Sequence, residues 1–131
     1  MNAPVTQSDR WSAEEQESVA IAQKFIAALI SRDPHAIAEA LTPDAVFTMG
    51  PIGALPPPAR VDFAAMLAGT TSVEIEVRKT FASGPVVMMD RFDRLVWPNR
   101  TISGRWIGIF AVKDGRIAEF TDYTIERTVT L

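Results

Sequence analysis

The sequence predicts an α+β fold in which a curved sheet wraps around a long N-terminal helix. Helical spacing of apolar residues dominates the first third of the chain, whereas the part after Gly69 reads as strands separated by short turns. Helices followed by a meander of antiparallel strands are typical of the α+β class. A sheet that curves around a helix forms a cone with one open mouth, and we expect that mouth to be a pocket.

The first helix has the clearest local signals. Ser12 and Glu15 have the spacing of a capping box, in which each side chain binds a backbone N–H of the first turn. The helix is predicted from about Ala13 to Ser31. Its apolar residues recur at helical spacing: Val19, Ala22, Ile26, Leu29 and Ile30.

Two shorter helices are predicted after it. Asp33 can cap a second helix whose first residue is Pro34, and this helix should end before Thr42. A third short helix is predicted over 61–68, after a Pro/Gly-rich segment at 50–58 that is too short to separate domains.

Strands are predicted from alternation and from turn residues. Asp114-Gly115 is a strong hairpin signal between the last two strands. The other turns fall at Ser83-Gly84-Pro85 and Pro98-Asn99. The predicted strands are 45–49, a half-exposed strand around 73–78, and 86–96, 101–112 and 117–125.

Composition limits the possible functions. The 131 residues suffice for one domain, 1–131, of which we expect 1–10 to be flexible. The net charge of −3 argues against a nucleic-acid partner. The absence of cysteine excludes disulfides, thiolate metal sites and cysteine nucleophiles, and the single histidine, His35, argues against a histidine metal site. Without a secretory signal or an apolar run of about 20 residues, a soluble cytoplasmic protein with no membrane partner is expected.

Three charged residues lie in segments that otherwise favour burial. Arg91 and Asp93 share one face of a predicted strand, while Asp90 and Arg94 share the other. Periodicity leaves open which face is inside, and charged residues are more often exposed. Asp122, in the last strand, is equally ambiguous. If the three lay together inside the cone, they would be costly as structure but suited to acid–base chemistry.

The strand at 101–112 is apolar on both faces. One face can line the cone, and the other needs a different cover, so we expect a homodimer formed through the outer face of the sheet. The two faces carry Trp106, Phe110 and Val112 on one side, and Ile107, Ile109 and Ala111 on the other.

An ordered set of short motifs resembles the limonene-1,2-epoxide hydrolase family. Segment 25–44 is similar to that family's first two helices, and Leu55-Pro56-Pro57 is similar to its proline loop. The motifs that carry the resemblance are Arg91-Phe92-Asp93, Gly108-Ile109-Phe110, Gly115-Arg116-Ile117-Ala118 and Asp122-Tyr123.

The resemblance implies a cone-shaped fold shared with nuclear transport factor 2, ketosteroid isomerases and SnoaL-like cyclases. It also implies that Asp122 is a general base that deprotonates water, that Asp93 is a protonated acid, and that Arg91 bridges them. A step that opens an epoxide needs an acid and a base in opposite protonation states. The resemblance implies neither a metal nor an organic cofactor.

One departure concerns the attacking water. Where the family has a Tyr and an Asn that help to hold it, this chain has Phe47 and Met49, which cannot do so. The substrate pocket implied by the resemblance consists of Phe47, Met49, Ile26, Leu29, Leu67, Leu95, Trp106 and Tyr123.

Three functions therefore stay open at the level of sequence. The first is hydrolysis of a small, apolar, cyclic epoxide. The second is an isomerase or cyclase in which Asp93 or Asp122 shuttles a proton, assisted by Arg91 or Tyr123. The third is a module that binds a small ligand without catalysis.

Overall fold

The computed structural model describes residues 5–6, 10–49 and 67–131, and these form two helices and a six-stranded sheet. The helices are α1 (Ala13–Ser31) and α2 (Pro34–Glu39). The strands are β1 (Val5–Thr6), β2 (Leu41–Met49), β3 (Ser72–Ser83), β4 (Val86–Trp97), β5 (Arg100–Lys113) and β6 (Arg116–Thr130).

The sheet is mixed. Its strand order is β1-β3-β4-β5-β6-β2, in which β3 to β6 are antiparallel neighbours. β1 pairs with β3 and β2 pairs with β6, both in parallel. The α+β class with a curved, unclosed sheet is as the sequence predicts.

Helix α1 begins and ends where its signals predict. Ser12 Oγ accepts from the backbone N–H of Glu15 at 3.1 Å, and Glu15 Oε1 accepts from the N–H of Ser12 at 2.9 Å. The other carboxylate oxygen of Glu15 accepts from the N–H of Gly84 in the β3–β4 turn at 3.0 Å. The first turn of the helix is thereby tied to the sheet.

The core lies between α1 and the inner face of the sheet. One face of α1 packs against β3, β4, β5 and β6. Phe25, near the middle of α1, is fully buried and meets two phenylalanines of the sheet edge-on. Fully buried residues of the inner face are Val87, Met89, Phe110 and Ile117.

Several predicted boundaries needed correction. Strand β2 begins at Leu41 rather than at Ala45, since Leu41 already pairs with Ile117 of β6 before a shift in register. Strands β3 and β6 are also longer than predicted, because their polar ends keep ladder partners in β4 and β5. Segment 50–58 and most of the third predicted helix lie outside the described residues, as does most of 1–10, in which Val5–Thr6 pair with β3.

Candidate functional site

Three adjacent strands position the charged residues. Arg91 and Asp93 lie on the inner face of β4, Asp122 lies on the inner face of β6, and β5 separates the two strands. In register, Asp122 is opposite Gly108 of β5, and Arg91 is opposite Trp106. Arg91 must therefore reach diagonally across β5 to meet Asp122.

Arg91 binds both carboxylates at once. Its Nε donates to the two oxygens of Asp93 at 3.0 and 3.1 Å. Its Nη1 and Nη2 donate to separate oxygens of Asp122 at 2.7 and 2.5 Å. The three residues are only 2%, 8% and 7% exposed, so this is a buried charge cluster and not a set of surface ions.

Gly108 leaves the space that this contact needs. A Cβ atom at Gly108 would lie 2.5 Å from Nη1 of Arg91 and 3.1 Å from Oδ1 of Asp122. Both distances are too short for an ordinary contact. Gly108, which belongs to one of the motifs that carry the family resemblance, is thus required for the Arg91–Asp122 pair.

Aromatic rings form the floor beneath the cluster. The Cζ atom of Arg91 is 5.4 Å from the ring centroid of Phe120, a distance typical of a cation–π contact. Phe120 stacks on Phe110 at 4.5 Å and is tilted against Phe47 at 5.0 Å. This packing excludes water from one side of the guanidinium group.

A cavity of about 180 Å³ opens above this floor. Arg91, Asp93 and Asp122 all line it, and the rest of its wall is mostly apolar. For scale, an engineered apolar cavity of about 150 Å³ accommodates benzene. Apolar residues that line the cavity include Leu29, Phe47, Met49, Leu67, Leu95 and Trp106.

Burial opposes ionisation of both acids. It raises the pKa of Asp93 to about 6, although attraction to Arg91 acts in the other direction. It also raises the pKa of Asp122, again against the effect of Arg91. Burial disfavours the charge of Arg91 as well, but the two carboxylates outweigh it and raise the pKa of the guanidinium, which stays charged.

The hydrogen bonds distinguish the two carboxylates. With both ionised the cluster has a net charge of −1, and one bound proton makes it neutral. Asp122 receives separate N–H groups from two guanidinium nitrogens, whereas Asp93 shares the single N–H of Nε. Because charge-assisted, bidentate pairs are the strongest, this pattern favours Asp122 as the ionised acid and Asp93 as the holder of the proton.

The SnoaL-like domain family matches residues 22–120, a span that includes most of the sheet, contains Arg91 and Asp93, and ends two residues before Asp122. The chain belongs to the SnoaL-like family. No curated protein sequence is significantly similar to it.

Solved structures of several activities resemble this SnoaL-like domain. An M. tuberculosis LEH-like epoxide hydrolase is 25% identical, with a TM-score of 0.71 over 85% of this chain and 84% of that one. A ketosteroid isomerase from Mycobacterium sp. is 21% identical, with a TM-score of 0.73 over 87% and 98%. A protein assigned as a SnoaL-like polyketide cyclase, from Jannaschia sp., is 14% identical, with a TM-score of 0.67 over 88% and 90%. The last two similarities show the fold alone.

Two predicted pocket residues of the SnoaL-like domain do not line the cavity. Tyr123 follows Asp122 directly, so strand alternation turns it to the outer face, where it is 43% exposed. Tyr123 is therefore not among the residues that line this cavity, and its role as a catalytic assistant stays a prediction. Ile26 is buried in the core of α1 and the sheet, away from the cavity wall.

Sequence reasoning also missed residues that do line the cavity. Trp97, Ile102 and Arg127 lie at the ends of β4, β5 and β6. Trp97 shares a strand face with Arg91 by alternation, so a pocket that includes Arg91 could have been expected to include Trp97. No sequence signal pointed to Arg127, because a bulge in β6 around residue 125 shifts the alternation of faces by one residue.

A second ion pair lies on the outer face of the same strands. Asp90 accepts from Nε and Nη2 of Arg105 at 2.9 and 2.6 Å. The Arg105 guanidinium holds the pKa of Asp90 below its usual range, opposite to the change at Asp93. Asp90 therefore offers a matched comparison for the cavity acids.

Two further observations concern metals and membranes. Within 10–49 and 67–131, no group of three or more His, Cys, Asp or Glu residues is arranged to hold a metal ion. Neither α1 nor α2, the helices of the described segments, is long and apolar enough to cross a membrane.

Replacing Gly108 with alanine should disrupt the cluster. The added methyl group collides with Arg91 and Asp122, so we expect the free energy of unfolding to fall by about 1–3 kcal/mol, as measured by urea denaturation. The control is Gly69→Ala, whose Cβ meets only the Trp97 side chain, at 3.3 Å. Equal, small losses for both variants would contradict this requirement.

Replacing Asp93 with asparagine should change how stability depends on pH. The folded pKa of about 6 exceeds the usual 3.8, so the folded state binds the proton more tightly. As pH rises from 4 to 7, the wild type should lose about 2 kcal/mol relative to Asp93→Asn, since one pKa unit is worth about 1.4 kcal/mol and the unfolded carboxyl is already partly ionised at pH 4.

Asp90→Asn is the control for this measurement. The pKa of Asp90 in the wild type is lowered, so the stability that its carboxylate contributes is lost only as the pH falls below the usual carboxyl range. Between pH 4 and 7 the difference between Asp90→Asn and the wild type should stay nearly constant. Parallel pH profiles for the Asp93 variant and the wild type would contradict the raised pKa.

Proposed function

We propose that this SnoaL-like protein is an epoxide hydrolase that adds water in one step to a small, apolar, cyclic epoxide. The observation that carries the proposal is the single guanidinium shared by two buried carboxylates at the wall of an apolar cavity. The 25% identity to an LEH-like epoxide hydrolase, over most of both chains, adds support.

In this proposal the two acids have separate roles. Asp122 accepts a proton from water as the water oxygen attacks an epoxide carbon. The bond between that carbon and the epoxide oxygen breaks, and Asp93 donates its proton to the oxygen. The product is a diol, and the proton gained by Asp122 replaces the one lost by Asp93 over the cycle. The pKa of about 6 for Asp93 keeps a proton available near neutral pH.

Arg91 has a positioning and electrostatic role. It stays charged throughout, because its pKa is raised by the carboxylates that it binds. Held between the acids, it keeps their oxygens oriented toward the same cavity and stabilises whichever carboxylate is ionised. Since the reaction moves negative charge from one acid to the other, a fixed cation between them stabilises both the initial and the final state.

The water must be held without the usual side chains. Met49 lies opposite Asp122 on the neighbouring strand, and Phe47 lies two residues before it, so neither offers a hydrogen bond at this place. Of the five N–H groups of an arginine, Arg91 uses three for the carboxylates. We expect the attacking water to be held by hydrogen bonds to Asp122 and to one of the two remaining N–H groups of Arg91.

The apolar side chains of Phe47 and Met49 favour a second candidate function. An isomerase or cyclase moves a proton on its substrate and needs no bound water, so Phe47 and Met49 would be no loss to it. Asp93 or Asp122 would shuttle the proton, with Arg91 stabilising the enolate. Tyr123 is exposed on the outer face, so this candidate rests on the two aspartates and Arg91. A non-catalytic ligand-binding module is the third candidate.

Hydrolysis should be tested with a panel of cyclic epoxides that includes limonene and cyclohexene oxides. We expect diol formation, and Asp122→Asn should lower kcat/KM about 10²–10⁴-fold through loss of the base. Asp90 is a buried carboxylate on the outer face of the sheet, away from the cavity. The Asp90→Asn variant should therefore retain activity. Oxygen-18 from labelled water should enter the diol in the first turnover.

Other outcomes separate the alternatives. Turnover of no epoxide above the Asp122→Asn background would contradict hydrolysis. Proton exchange into a cyclic or polyketide-like ketone, lost in the aspartate variants, would then support the isomerase. Ligand affinity that is unchanged by neutralising either aspartate would support the non-catalytic module.

The outer face of the sheet supports a homodimer as part of the proposal. Exposed apolar side chains flank the part-buried pair of Asp90 and Arg105 on this face, so the charge of Asp90 is already paired there. A two-fold interface places such a face against its own copy. These exposed residues include Val86, Met88, Phe92 and Tyr123.

Sedimentation velocity should therefore give a dimer at micromolar concentration. Met88→Glu introduces a charge into the apolar face and should give a monomer with an unchanged circular dichroism spectrum. A wild-type protein that is monomeric at these concentrations would rule the dimer out.

A further inference from the structure

Arg127 stands at the open end of the cavity. It lines the same space as Asp93 and Asp122. The floor residues Phe120 and Phe47 are 2% and 5% exposed, whereas Arg127 is exposed to solvent. The cavity therefore runs from the buried charge cluster to a rim that carries a second guanidinium.

The two arginines that line the cavity differ in their partners. Arg91 is paired with both Asp93 and Asp122. Arg127 forms no ion pair with any carboxylate of the described residues, and its neighbour Glu126 lies opposite Arg105 on the outer face. The rim therefore presents a positive charge that is available to a ligand.

Register sets the distance between rim and cluster. Asp93 is opposite Gly104 on β5, and Gly104 is opposite Arg127 on β6. Two strand spacings separate the Cα atoms of Asp93 and Arg127 by about 10 Å. The Trp106 ring lies over Gly104, where an added Cβ would be 3.0 Å from its Cη2 atom, so a ligand must lie beside this ring. The cavity of about 180 Å³ that Trp106 lines together with Asp93 and Arg127 is large enough for one six-membered ring.

We infer that the cavity, besides apolar rings, takes small cyclic carboxylic acids, whose ring fills the apolar part and whose carboxylate pairs with Arg127. The opposite orientation is disfavoured, because a ligand anion beside the cluster would meet a net charge of −1 when both aspartates are ionised. The inference rests on the proposed function only for the reacting group, which would be an epoxide at the end of the ring facing Asp93 and Asp122.

Binding of simple ring compounds tests this inference without turnover. Calorimetry would compare cyclohexanecarboxylate with cyclohexanecarboxamide, which has the same shape but no charge. The wild type should prefer the carboxylate about three- to fivefold, as expected for an exposed ion pair. Arg127→Gln should remove the preference and leave amide affinity unchanged, while Arg127→Lys should retain part of it.

Arg116→Gln is the matched control. Arg116 is also an exposed arginine of β6, at the other end of the strand, so its loss changes the net charge equally. This variant should keep the preference for the carboxylate. Equal affinity of the wild type for acid and amide, no binding of either, or a preference that survives in Arg127→Gln would each overturn the inference.

A kinetic comparison separates this inference from the hydrolase proposal. With 3,4-epoxycyclohexanecarboxylate and its amide, Arg127→Gln should lower the ratio of kcat/KM values three- to fivefold. If neither epoxide reacts but the acid still binds preferentially through Arg127, the inference stands and hydrolysis fails. If both react equally in the wild type, hydrolysis stands and the inference is overturned.

Discussion

The guanidinium of Arg91, shared between Asp93 and Asp122, is the interaction on which the rest of the site depends. Burying three charged groups is costly, and removing one partner from such a cluster leaves an uncompensated charge. The cluster exists because strands β4 and β6 lie on either side of β5, and because Gly108 on β5 leaves room for the arginine to cross. The geometry of the site therefore depends on Gly108, a residue without a side chain.

The surroundings of the cluster explain why its acids differ from ordinary surface acids. Phe120 covers one side of the guanidinium, and the cavity wall is mostly apolar, so burial raises the pKa of both aspartates. Asp90, on the outer face of the same strand, pairs with Arg105 near solvent, and its pKa is lowered. Two acids only three residues apart therefore have opposite pKa changes, which arise from the face of the strand on which each one lies.

Much of the fold followed from local patterns, whereas the site did not. The capping residues and helical spacing predicted α1 correctly, and Asp114-Gly115 forms the predicted turn, with both residues at positive φ. Periodicity placed Arg91 and Asp93 on one face but could not say which face was inside, because the outer face also carries an acid that pairs with an arginine. That second arginine, Arg105, lies on another strand, and such pairings are invisible in a single strand's pattern.

The errors have similar causes. The parallel pairing of β2 with β6, which places Met49 beside Asp122, joins segments far apart in the chain. Arg127 turns toward the cavity only because β6 contains a bulge, and strict alternation would not have predicted it. Tyr123 was assigned to the pocket through its motif, although alternation from Asp122 already turned it outward. The motif resemblance was informative about the set of residues and less so about each member.

The protonation of the two aspartates is the central claim, and carbon-13 NMR of labelled carboxyl groups measures it most directly. As the pH falls, the account predicts that Asp93 takes up a proton first, with a midpoint near its pKa of about 6, while Asp122 stays ionised until lower pH. Single substitutions at each aspartate would assign the signals. Protonation of Asp122 before Asp93, or ionisation of both acids well below pH 6, would contradict the account.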